Sequence, residues 1–339
     1  MNKLPLPDFL KSASGIPIID VRSEDEYQQG HIPGSINIPI LNNEQRTIVG
    51  TVYKQEGQQK AVLKGFQLAG PEFEQKAVAL LARAVDQQIL IHCWRGGMRS
   101  EIMAWIAKLT GLNVSILEGG YKTFRHHVLE IIAQPIKGVL ISGPTGSGKT
   151  EILKVLADQG YPVIDLEEAA QHRGSSFGAI GKMFRTQEMF ENVLATECMK
   201  WPCGTQFLME DESRMIGTKC IPETIFRSMQ QMPMISLEVS TPQRIDRIKE
   251  EYAKLDKKAL TEAIQRLEKR LGNQRMKEAI EALNESRHET WISIMLGYYD
   301  KSYDHLKLAR NSEKYTVSFE WQQAEKGLKT IKEILQKFH

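Results

Sequence analysis

The stretch IKGVLISGPTGSGKTEILKVLADQG, residues 136–160, decides how the second half of this chain folds. A short apolar run leads into Gly143-Pro-Thr-Gly-Ser-Gly-Lys-Thr150, which satisfies G-x-x-x-x-G-K-[ST]. The spacing of apolar residues after it predicts a helix that stops at Gly160. Strand, glycine loop and helix in this order are the context in which a phosphate-binding loop forms. The glycines let successive backbone N–H groups curl around a diphosphate, and Gly143, Gly146, Ser147, Gly148, Lys149 and Thr150 make up the candidate site. Lys149 brings a point charge to the outer phosphate, and Thr150 is placed to ligate Mg²⁺.

Downstream, YPVIDLEEAA and GTQFLMEDESRMIG supply two further strands. The second ends in Glu210, Asp211 and Glu212, each a candidate to hold the water shell of a metal; alternation points Glu210 and Glu212 the same way. Asp165 ends the strand before, at the carboxyl edge where open α/β sheets place their sites. The segment HRGSSFG (172–178) adds Arg173 as a possible grip on a further anion. A fourth strand begins PMISLEVS, and from about 254 onward the chain reads as mostly helical, with Leu260, Ile264, Leu267 and Leu271 on one face.

Upstream, IIDVRS, INIPI, QILIHC and NVSIL read as strands separated by helical stretches, including 72–87 and 100–112. Alternation of this kind implies parallel sheets with helices on both sides. The expected fold is therefore α/β: a parallel-sheet domain over 1–133, then a P-loop domain over 134–339 with a helical C-terminal part.

The bulk composition narrows the class. With 44 Lys and Arg against 42 Asp and Glu, the net charge of +2 neither predicts nor excludes a nucleic-acid partner. No apolar stretch reaches the roughly 20 residues needed to cross a bilayer, so no membrane partner is expected. MNKLPLPDFLKSASG lacks the apolar core and small-residue cleavage site of a secretory leader. Four cysteines in 339 residues do not make a disulfide framework, which fits a reducing cytoplasm. Cys198, Cys203 and Cys220 supply only three thiols, at no familiar zinc spacing.

The fourth cysteine is different. LIHCWRGGMRS (90–100) places Cys93 after an apolar strand and before a helix, with two glycines and two arginines between. Loop amides and the helix N-terminus would stabilise a thiolate there, and Gly96 and Gly97 suit an anion nest. Arg95 and Arg99 add positive charge. WRGGMR makes a poor core and a good anion cradle, so Cys93 is the candidate catalytic thiol, with Arg95 and Arg99 beside it.

IIDVRSEDEYQQGHIPGSINIP, which contains Asp20, Arg22, Glu26 and Gly30-His31-Ile32-Pro33-Gly34, resembles the N-terminal signature of rhodanese-like domains over about residues 5–130. That resemblance implies a sulfur- or selenium-carrying role for Cys93 and makes Asp20 and Arg22 supports of its loop. The loop is one residue longer than in many rhodanese sulfurtransferases and is similar to that of rhodanese-fold phosphatases. A competing reading follows: a cysteine phosphatase or sulfurtransferase fused to an ATP-dependent kinase-like domain.

HCWRGGMRS, GPTGSGKT, DLEEAAQHRGSSFG and MEDESRMIG, in this order, together resemble the tRNA 2-selenouridine synthase family along the whole chain, as does LKGFQLAGPEF (63–73). The resemblance implies replacement of sulfur by selenium in wobble 2-thiouridine, with selenophosphate as donor. It also implies an S-geranyl intermediate made from geranyl diphosphate, Mg²⁺ as an assisting ion and no tightly bound organic cofactor. Expected partners are the tRNA anticodon loop and a selenophosphate-supplying enzyme. On this reading the P-loop cradles geranyl diphosphate, a nucleotide or both, and Cys93 serves as selenium carrier or as nucleophile. Arg244, Arg247, Lys257, Lys258, Arg266, Lys269 and Arg270 offer a basic surface for tRNA, interleaved with acids. Trp94 either stacks on the uridine or anchors the loop.

Overall fold

Two five-stranded, wholly parallel sheets account for the alternation of strands and helices. The computed structural model describes residues 2–172, 177–178, 180, 184–252, 255–307 and 312–338, with 302–307 by backbone alone. Residues 1–131 with 191–196 form one compact unit, and 132–190 with 197–339 form a second.

The first sheet contains β1 (Asn2–Leu4), β2 (Ile18–Asp20), β3 (Ile36–Asn37), β4 (Gln88–His92) and β5 (Asn113–Leu117), in the order β1-β5-β4-β2-β3. The central strands are apolar because helices cover both faces. Ile19, Ile89, Ile91 and Ile116 are buried with Met103 and Ala104 of the helix Met98–Leu109. From β2 the chain moves outward to β3, and from β4 it moves the other way to β5. The strand order therefore reverses between the carboxyl ends of β2 and β4, where such sheets hold their ligands. Asp20 ends β2 opposite His92 at the end of β4, and Cys93 follows at once.

Two helices in this unit had no counterpart in the periodicity of the sequence. Asn43–Glu56 opens with Asn42 accepting from the Gln45 amide, and Gln45 reaching back to the Asn42 amide. Gly57, at φ +90°, turns the chain into Gln58–Ala69. Asn43–Glu56 is mostly polar, with only Ile48, Val49, Val52 and Tyr53 large and apolar, and Gln58–Ala69 alternates Gln and Lys with apolar residues around Gly65. The helix expected over 72–87 is shorter: a 3₁₀ turn, Gly70–Glu72, leads into Phe73–Leu81. It ends at Leu81, and further on Asp86 and Gln87 take left-handed conformations, φ 47° and 57°, where the chain turns into β4.

The second sheet contains β6 (Lys137–Ser142), β7 (Val163–Ile164) and β8 (Gln206–Glu210). A separate antiparallel pair follows, β9 (Met215–Ile216) with β10 (Lys219–Cys220), and then β11 (Met234–Glu238) and β12 (Lys314–Ser318) complete the sheet. Its order is β12-β11-β6-β8-β7, so β6 lies at the centre. Val139, Ile141, Leu208, Ile235 and Leu237 pack against Ile152, Leu153 and Leu156 of the helix Lys149–Asp158 and against Ile331 and Ile334 of Ala324–Leu335. Past 254 the chain is mostly helical, as expected, and β12 is the strand that interrupts it. KYTVS is β-branched and aromatic, and pairs in parallel with β11 at the sheet edge. The predicted stripe of Leu260, Ile264, Leu267 and Leu271 is buried around Trp291 in a helical cluster.

Candidate active site

The loop after β4 is shaped by two close backbone approaches. Gly96 sits at φ +65°, and a Cβ there would lie 2.4 Å from the Leu117 carbonyl oxygen. Gly120, at φ +63°, leaves no room either: a Cβ would meet the Cys93 carbonyl oxygen at 2.4 Å and the Gly96 nitrogen at 2.5 Å. The amides of Tyr121 and Lys122, at the start of the helix Gly120–Ile132, donate to the carbonyls of Cys93 and Trp94 at 2.8 and 3.0 Å. Among the described residues, nothing accepts from the amides of Trp94, Arg95, Gly96 or Gly97. Four N–H groups in a tight loop, next to a helix N-terminus, form a seat for an anion.

Cys93 lies in this loop, 4% exposed. The Ser100 hydroxyl donates to its sulfur at 2.9 Å and fixes where the sulfur sits in the loop. Arg99 does not stand free. Its guanidinium donates to both carboxylate oxygens of Glu26, at 2.6 and 3.2 Å, and Arg46 approaches the same carboxylate at 3.6 Å. Arg95 is exposed and has no carboxylate partner among the described residues. Asp20 and Arg22 lie beneath, both buried, and pair through Nε–Oδ1 at 3.0 Å and Nη2–Oδ2 at 2.6 Å. Arg22 also donates to the Gly30 carbonyl at 2.7 Å and lies 3.9 Å from the Tyr121 ring centroid. Against burial, the charge and hydrogen bonds of Arg22 hold the Asp20 carboxyl below its usual range, while burial lowers the His92 imidazole toward the neutral form.

A cavity of about 660 Å³ opens over Cys93. Cys93, Trp94, Arg95 and Arg99 line one part, while the helices Asn43–Glu56 and Gln58–Ala69 supply Val49, Tyr53, Val62 and Phe66. Trp94 is 39% exposed and tilts against Tyr121 at a centroid distance of 5.7 Å.

In the second unit, β6 delivers the glycine loop at the centre of its sheet. Gly146 and Gly148 take φ +80° and +84°, and Lys149 Nζ donates to the Gly143 carbonyl at 3.1 Å. Ser147 is fully buried, its hydroxyl without a partner among the described residues. A Cβ on Gly148 would strike the Trp321 ring at 2.1 Å, and Trp321 Nε1 donates to the Ser147 carbonyl at 3.3 Å.

Residues 136–334 match the family model of the tRNA 2-selenouridine synthase AAA domain, and 7–127 match that of the rhodanese-like domain. A tRNA 2-selenouridine synthase of Proteus mirabilis is 36% identical, over 91% of this chain and 94% of its own length. This chain belongs to the tRNA 2-selenouridine synthase family. A family member from Sulfurovum sp. is 33% identical over 97% of this chain and 99% of its own, and one from Pseudomonas fluorescens is 35% identical over 85% and 87%.

In this tRNA 2-selenouridine synthase family member, three carboxylates meet at the glycine loop: Glu167, Glu210 and Glu212 each offer an oxygen within 4.8 Å of the others. Thr150 Oγ1 donates to Glu167 at 3.4 Å. Burial and the neighbouring acids push Glu167 up to about 9 and Glu212 up to about 8, and burial also raises Glu210. Glu210 is 1% exposed, and its Oε1 has no hydrogen-bond partner among the described residues. An all-oxygen donor set with an orphaned buried oxygen suits a hard divalent cation such as Mg²⁺.

The other acids occupy different places. Asp211 turns away, as alternation requires, and accepts from Ser142 at 2.8 Å. Asp165 caps the short helix Leu166–Ala170 by accepting from the Glu168 amide at 2.8 Å. Arg173 lies outside the described residues. Glu167 is a site residue that the sequence reading does not single out: it stands in the short helix Leu166–Ala170, two positions after Asp165, which is the candidate there. Of the basic residues expected at a tRNA surface, two are corrected. Arg244 is 4% exposed and bound to Asp300 and the Thr145 carbonyl, and Arg247 pairs with Glu151 and stacks on Trp321 at 3.6 Å.

Proposed function

We propose that this protein replaces sulfur by selenium in wobble 2-thiouridine of tRNA, with selenophosphate as donor, through an S-geranyl intermediate. The observation that carries the reading is Cys93, bonded by Ser100 and set beside four amides and an arginine that have no partner among the described residues, in a cavity of a chain of this family. The setting is cytoplasmic, and the anticodon loop is the partner. Domain boundaries near 133 divide the work.

In the P-loop unit, the glycine loop and Lys149 hold the diphosphate of geranyl diphosphate. The thiocarbonyl sulfur of the base bonds the allylic carbon as the C–O bond breaks with its electron pair on the diphosphate, and the N3 proton passes to solvent, to be regained when 2-selenouridine forms. Loop amides and Lys149 take up the charge that develops. Thr150, Glu167, Glu210 and Glu212 would hold Mg²⁺, which supplies further charge neutralisation when bound.

In the rhodanese-like unit, alkylation has turned a poor leaving group into a good one. Cys93 thiolate adds at C2 and the C–S bond breaks with its pair on geranylthiolate. The selenium of selenophosphate then bonds C2 as Cys93 leaves, and water cleaves Se–P to give phosphate and 2-selenouridine. This route balances without an oxidant, whereas loading selenophosphate selenium onto Cys93 as a perselenide is a two-electron oxidation. Arg95 and the loop amides bind the selenophosphate phosphate, and Glu26 holds Arg99 in place. The test is mass analysis of nucleosides from thiolated tRNA incubated with the protein, selenophosphate and geranyl diphosphate. Absence of both selenium and geranyl masses would sink the reading.

A further inference from the structure

Each unit carries an apolar recess, and their sizes differ greatly. Beside Thr145 of the glycine loop, Phe177, Tyr252, Trp291 and Met295 line a space of only about 20 Å³. The cavity over Cys93, at about 660 Å³, falls within the range of about 300–1,000 Å³ usual for small-molecule sites. Its wall is unusual for a site that has only to bind small anions. Tyr53 and Phe66 are 58% and 49% exposed on facing helices, and Met98, in the first turn after the cysteine loop, is 45% exposed. Large apolar groups left uncovered around one recess mark a binding surface. The rim is cationic: Lys54 and Arg95 line it without a carboxylate partner among the described residues.

We propose that the wall formed by Asn43–Glu56 and Gln58–Ala69 seats the hydrocarbon group of the S-alkylated 2-thiouridine, so that C2 of the base is presented to Cys93. The inference rests on the S-alkyl intermediate of the proposed function and names the place where its alkyl group is read. Apolar wall, cationic rim and anion-binding base match a ligand that is a hydrocarbon chain on an RNA phosphate backbone. The seat also gives the displacement step its selectivity: unalkylated thiouridine, lacking the chain, is not held against the thiol.

The test uses the full-length protein and anticodon stem-loops bearing S-geranyl- or S-methyl-2-thiouridine, with affinity measured in the absence of selenophosphate. Wild type is expected to prefer the geranyl form at least tenfold. The double variant Tyr53→Ser/Phe66→Ser removes two half-exposed side chains and should keep its fold by circular dichroism while its preference falls to within twofold. Equal binding of the two stem-loops by wild type, or a preference that survives the double variant, overturns the proposal. A preference lost instead on Phe177→Ser would move the alkyl seat to the recess beside Thr145 and overturn it too. Selenouridine formation by wild type on thiolated tRNA, assayed in parallel, reports separately on the proposed function.

Discussion

The Ser100 hydroxyl donates to the Cys93 sulfur at 2.9 Å, from the first turn of the helix that follows the cysteine loop. A hydrogen bond of this kind contributes about 0.5–1.5 kcal/mol, and this one fixes where the sulfur sits. Ser100→Ala is therefore expected to slow alkylation of Cys93 by iodoacetamide at pH 7 roughly two- to tenfold. Labelling kinetics followed by mass spectrometry check this; an unchanged rate would show that the hydroxyl does not position the sulfur.

Glu26 grips Arg99 with both oxygens, although the two residues are separated by 73 positions. Against burial, the Arg99 hydrogen bond holds the Glu26 carboxyl below its ordinary value of 4.5. Its stabilisation is thus fully present above pH 4.5 and is lost as pH falls through the lower folded value. Glu26→Gln should cost about 1.5–3 kcal/mol at pH 7, with the difference from wild type closing in acid. Urea unfolding at pH 7 and pH 3 measures both.

Glu167 and Glu212 behave in the opposite sense. Their folded values of about 9 and about 8 exceed the ordinary 4.5, so stability declines as pH rises from 4.5 toward those values. In EDTA at pH 8.5, Glu167→Gln is expected to raise Tm by about 2–4 °C, roughly 1 kcal/mol for a domain of this size. Mg²⁺ should raise the wild-type Tm and move the variant less. Thermal scans with and without the ion decide it.

The two units should fail separately. Lys149→Ala is expected to reduce geranylation of thiolated tRNA about a hundredfold, in the range for removing one oxyanion-type donor. Cys93→Ser should retain geranylation and lose selenium incorporation. Nucleoside mass analysis separates the two, and loss of geranylation in Cys93→Ser would refute the division of labour.

Gly120 admits no side chain: an added Cβ would sit 2.4 Å from the Cys93 carbonyl oxygen, and its φ of +63° disfavours any other residue. Gly120→Ala should cost about 1–3 kcal/mol and distort the anion loop. Selenium incorporation is expected to fall more steeply than geranylation, which nucleoside ratios would reveal.

Both phosphate-type loops were legible in the sequence because each is a local event. Glycine conformational freedom, an apolar run before it and a helix after it lie within about 25 consecutive residues, and the same local rules placed Cys93, Lys149 and Thr150 at carboxyl ends of strands. Tertiary structure alone brought Glu26 to Arg99 and Glu167 to Glu210 and Glu212, since strand order, not spacing, decides which loops meet. It also raised two weakly patterned helices over the thiol and buried Arg244, which had read as surface. The chain encodes its loops through backbone geometry, which neighbours determine. Its partners and its cavity arise from packing between segments far apart in sequence, and those a linear pattern does not contain.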